Sequence, residues 1–157
     1  MRPLRRVYSR FARGDRGSMA VEFVVAAPAL VLLLLLVAAG GQWLNLTGKV
    51  GSAARDAVRG ASLARTFADA QANAQTAAQS DLAGVCSGGD QGTPATKVQL
   101  FEDGAPVGAG DFAVAQDIEV TVSCVANLAA FHVIGFPVSQ TFGDTAAAPL
   151  DPFEDRG

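Results

Sequence analysis

Few side chains in this chain are of a type and spacing that could do chemistry. Cys86 and Cys124 are its two cysteines and His132 is its single histidine. Two thiols and one imidazole fall short of a four-ligand zinc site, and nothing else stands at metal-ligand spacing. Glu102 and Asp103 form an adjacent carboxylate pair, but they lie in the turn-forming run E-D-G-A-P, where neighbouring acids are solvated rather than poised for proton transfer. No glycine-rich phosphate loop follows a strand, and no Ser or Cys is set beside a histidine as a nucleophile. The residues therefore predict a protein that is not an enzyme, with no catalytic residues, metal, cofactor or small-molecule substrate. One carboxylate stands out: Glu22 abuts a long apolar run, where an uncompensated charge costs free energy and usually has a partner.

That run is the element that positions Glu22. No charged residue occurs from Phe23 to Gly48, and eleven of the residues between Phe23 and Val37 are Leu, Val or Phe. On an insertion scale these eleven contribute about −3 to −6 kcal/mol together, which outweighs the small costs of the alanines and glycines. A bilayer core about 30 Å thick needs roughly 20 such residues in a helix, so the stretch predicts a membrane span. Arg2, Arg5, Arg6, Arg10, Arg13 and Arg16 precede it and, against Asp15, give the first seventeen residues a charge of +5. Basic flanks stay on the cytoplasmic side, so the N-terminus is expected inside and the chain after Trp43 outside. Trp43 suits the outer interface, its alternative being ordinary helix packing. Pro28 within the run predicts a kink. Arg5-Arg6 lacks the rest of a twin-arginine signal, and Arg13-Gly14-Asp15, the integrin tripeptide, would lie in the cytoplasm. A secretory signal ending at Ala38-Ala39-Gly40 is the competing reading, against which the run is too long.

Basic residues, then Gly17, Ser18, a glutamate at the fifth position after the glycine, Phe23 and an apolar helix resemble a type IV prepilin-type processing site. More closely, G-S-M-A-V-E-F followed by Pro28 and a leucine run resembles the TadE-like family of the tight-adherence (Flp) pilus assembly system. The resemblance is specific over residues 13–41, looser in the helix beyond, and after about residue 83 rests on general layout. It implies a pseudopilin or minor pilin-like subunit of a bacterial cytoplasmic membrane, with a pilin-like fold. It further implies a prepilin peptidase that cuts between Gly17 and Ser18, and other pilin-like and pilus-assembly proteins as partners alongside membrane lipid. Glu22 would then neutralise the new Ser18 ammonium of a neighbouring subunit.

Beyond the span, Val50, Ala54, Ala57, Ala61, Ala64 and Ala68 recur at steps of four and three, one face of a helix. This small-residue face suits either close packing against another subunit or cover for the chain's own sheet. Gly48, Gly51 and Gly60 predict bends near 48–51 and 60. The run Ala83–Pro94 ends the helix. Strands are expected at Lys97–Phe101, at Asp117–Val125 and, more weakly, at Val138–Phe142. In the second of these Ile118, Val120, Val122 and Cys124 alternate with polar residues.

The fold class is α+β, a long N-terminal transmembrane helix running into an extracytoplasmic helix and then a small antiparallel sheet. The expected divisions are a leader at 1–17, the span at 18–48, an alanine-rich helix at 49–83, a β domain at 84–145 and a disordered acidic tail at 146–157. An even cysteine count outside the cytoplasm favours a Cys86–Cys124 disulfide over free thiols. Leu128–Pro137 is unusually apolar and reads as buried core or, alternatively, as an exposed patch, with His132 a loop residue. Residues 84–157 carry a balance of −8, which excludes nucleic acid as a partner. The functional alternatives are a membrane-anchored binding module and a secreted protein with a cleaved signal peptide.

Overall fold

Two apolar periodicities, helical before residue 82 and alternating after 94, resolve into the order α1 (Asp15–Ser62), α2 (Phe67–Asp81), β1 (Ala95–Glu102), β2 (Ala105–Val107), β3 (Asp117–Asn127) and β4 (Ser139–Pro149). A computed structural model describes residues 15–86, 92–129, 132, 135 and 137–150, with 15–21 as backbone only. The basic leader before Asp15, the middle of the Ala83–Pro94 loop, parts of the Leu128–Pro137 run and the tail after Leu150 lie outside the described residues. The fold is α+β, helices first and an antiparallel sheet after, in a pilin-like arrangement. The chain divides into two compact units, Met1–Ala39 and Gly40–Gly157.

In the first unit the described residues belong to α1, which runs unbroken through Pro28. In the second unit a four-stranded sheet of order β2-β1-β3-β4 has every neighbouring pair antiparallel. β3 is central because its alternation is cleanest: Ile118, Val120, Val122, Cys124 and Ala126 are all buried on one face. They join one core with Val98 and Leu100 of β1 and Phe142 of β4, and with Val50, Ala53, Ala54, Ala57, Val58 and Ala61 of α1. Burying a Val, Leu or Ile side chain contributes about 1.5–3 kcal/mol. The alanines add less area but let the helix lie close to the sheet. No polar or charged side chain is buried among the described residues.

Several expectations change here. The helical segment after the span is not one rod to residue 83: α1 stops at Ser62 and α2 starts at Phe67. Thr66 ends the run, because its hydroxyl accepts from the Asp69 amide and caps α2. The reset moves Ala68 out to solvent and places Ala70, Ala74 and Ala78 inward. Gly60 therefore sits inside α1, where its carbonyl accepts from Asn73 Nδ2. Gln75 then ties α2 to the sheet by donating to the Pro94 carbonyl and accepting from the Thr96 hydroxyl.

The turn after β1 is narrower than E-D-G-A-P. Asp103 and Gly104 have φ of 50° and 78°, a two-residue hairpin turn with both centres left-handed, and Ala105–Val107 pair back as β2. Pro106 is tolerated there because β2 is an edge strand. β4 is longer than Val138–Phe142 and runs into the expected tail. Ala146, Ala147 and Ala148 pair with Val120, Glu119 and Ile118, so the strand ends only at Pro149. Alanine's weak β propensity hid this extension, and the partner strand supplies the pairing.

Candidate functional site

The first stretch of α1 is built for surroundings other than water. Phe23, Val24 and Val25 are 74%, 71% and 73% exposed, and Leu30 to Leu34 are all more than half exposed. Burial on this scale of apolar surface is normally required in water, so the helix fits a single-pass membrane anchor near the N-terminus. Glu22 is exposed at the head of this surface. Gly17 and Ser18 lie within α1, which is described from Asp15 onward. Positions 18 and 22 are one turn apart on the same side of the helix.

Where the apolar run gives out, α1 enters the second unit and meets the sheet. Trp43 stacks edge-on against Phe142 of β4, ring centroids 4.8 Å apart, and remains 37% exposed. It is a packing residue that clamps α1 to β4, with one edge left outside. Beside it, Gln42, Asn45, Leu46 and Lys49 of α1, Gly84 and Val85 after α2, and Ala126 and Asn127 at the end of β3 line a cleft of about 260 Å3. Lys49 is the one charged residue among the described residues that line it. Asn127 Oδ1 accepts from the Ala129 amide, which leaves its NH2 group as the side chain's donor. The α1 side of the cleft was legible as polar residues 42, 45 and 49 at helical spacing just after the apolar run. Asn127, eighty residues on, gave no signal, since only the sheet register brings it there.

The remaining candidates have structural places. Cys86 and Cys124 are joined by a disulfide, with Cα atoms 5.4 Å apart, so the end of the α2 segment is pinned to the buried face of β3. Asp103 occupies the hairpin turn and accepts from Gln116 Nε2 at 3.1 Å. Glu102 pairs with Ala105 in the ladder, so these two acids serve the turn. His132 is exposed, as are Ala129, Gly135, Pro137 and Val138 around it, while Leu128 is buried. Among the described residues no group of three or more His, Cys, Asp or Glu could hold a metal ion. The small-residue face of α1 is spent on the chain's own sheet: Ala53, Ala54, Ala57 and Ala61 are fully buried.

On this geometry the class is a long apolar helix that fits a single-pass membrane anchor, followed in the chain by a small α+β domain. Residues 17–59 match the family model described as TadE-like protein, the family that the glycine–glutamate–apolar helix motif resembles. No curated protein and no solved structure matches the chain.

Proposed function

We propose that this chain is a TadE-like pilus-assembly subunit, a pseudopilin or minor pilin-like protein without enzymatic activity. It lies in a bacterial cytoplasmic membrane with Arg2–Arg16 inside and the α+β domain outside. A prepilin peptidase cleaves it between Gly17 and Ser18, and the exposed part of α1 packs with other pilin-like subunits of a Flp-type system. The observation that carries this reading is the coincidence of the family match with the motif: it begins at Gly17, the residue before the proposed scissile bond. Because the alanine face beyond Val50 is covered by the sheet, partner packing falls to the apolar surface between Phe23 and Val37. Glu22 supplies the register, its carboxylate meeting the Ser18 ammonium of a neighbour where neither charge has water to answer it.

Glu22→Gln in the native host tests this. The expected outcome is normal insertion and loss of cross-linking to neighbouring pilus subunits. Wild-type cross-linking would overturn the pairing and reduce the helix to a plain anchor.

A further inference from the structure

We propose that the cleft between α1, the turn after α2 and the end of β3 holds the phosphate and hydroxylated headgroup of an anionic phospholipid. The inference rests on the reading of α1 as a span and adds to it a specific lipid site. Its first support is depth. The apolar run ends at Gly41, and Gln42, Asn45 and Lys49 follow within eight residues, or about 12 Å of helix. The polar layer of one leaflet is about 5–8 Å thick, so Gln42 and Asn45 stand within it, while the Lys49 backbone lies about 4–7 Å above it and its long stem reaches back toward the layer.

The second support is charge. Lys49 is the first charged residue after Glu22, the part of the chain beyond the run is acidic in net charge although Arg55, Arg59 and Arg65 follow, and none of the described lining residues is a carboxylate that could neutralise Lys49. A phosphate would supply that charge. The third is the lining. Gln42, Asn45 and Asn127 add neutral amide groups that bond to phosphate oxygens or headgroup hydroxyls, while Leu46, Val85 and Ala126 contribute apolar surface. None of the described lining residues is an acid or an aromatic ring that would receive a choline or ethanolamine cation, so this lining favours a glycerol-type headgroup over a zwitterionic one. At about 260 Å3 the cleft is smaller than pockets that enclose whole drug-sized molecules, roughly 300–1,000 Å3, and suits a headgroup whose acyl chains lie outside.

The test uses the full chain in detergent, with retained lipid counted by native mass spectrometry after exchange against phosphatidylglycerol or phosphatidylcholine. One phosphatidylglycerol per chain is expected to survive activation, and phosphatidylcholine is not. Lys49→Gln should weaken retention about fivefold, the effect of one basic group at an anionic surface. Lys97→Gln, an exposed residue of β1 outside the cleft, should leave it unchanged. Equal retention of the two lipids, or wild-type retention by Lys49→Gln, would overturn the proposal. Displacement of the lipid by inorganic phosphate at equal concentration would make this a free-anion site and overturn the lipid assignment. Resistance of the same proteins to alkaline extraction from membranes reads the anchor separately. Loss of anchoring defeats the span, whereas lost lipid selectivity with intact anchoring defeats the cleft alone.

Discussion

Asp81 and Asp56 bring two acids together in the α+β domain, with a consequence for its pH response. Partial desolvation, then the charge of Asp56, then a hydrogen bond between the two side chains raise the Asp81 carboxyl above the usual 3.8, against a smaller opposing bond from Ser80. A folded-state value above the unfolded one means that the folded chain holds the proton more tightly. The contribution is fully present below pH 3.8 and is lost as pH rises through the raised value. Asp81→Asn should therefore remove that slope: the difference in Tm between variant and wild type should grow in the variant's favour from about pH 3.5 to about 6. A pH-independent difference would show that the pair has no such coupling. At the same scale, Glu22 was legible because a carboxylate against an apolar run is costly and so needs a reason. The Asp56–Asp81 pair was not legible, since it exists only after the chain reverses between α1 and α2.

At the scale of elements, the strands that could be read were those whose burial is one-sided. β3 shows every inward residue apolar, and its alternation in sequence is the same pattern. β2 and the far half of β4 could not be read, because A-P-V and A-A-A carry no alternation and take their conformation from β1 and β3. The break at 63–66 had a signal, Thr66 three residues ahead of Asp69 in the manner of a capping box, but the continuing alanine periodicity masked it. Gly60 tests the revised helix boundary. A methyl group there would meet Asn73 at 3.6–3.8 Å, ordinary contact, so Gly60→Ala should stabilise the domain by about 0.5–1 kcal/mol through helix propensity alone. A lower Tm would mean that α1 and α2 approach too closely for the added carbon. Ala57, fully buried on α1 in the domain core, predicts the reverse: Ala57→Leu should cost about 1–3 kcal/mol by overpacking, read from denaturant midpoints.

For the whole molecule, the two units answer to different solvents. The apolar part of α1 needs lipid or other helices around it, whereas the sheet domain closes its core with alanines from its own helices and with one cross-link. Cys86–Cys124 closes a loop of 38 residues, and by the loop-entropy relation reduction should lower stability by about 4 kcal/mol. Urea unfolding with and without reductant checks it; overlapping curves would show that the bond adds nothing. The N-terminal residue of the protein taken from native membranes tests most directly whether this chain is a processed pilin-like subunit. Ser18 is the expected first residue. An intact Met1, or a start near residue 40, would contradict it.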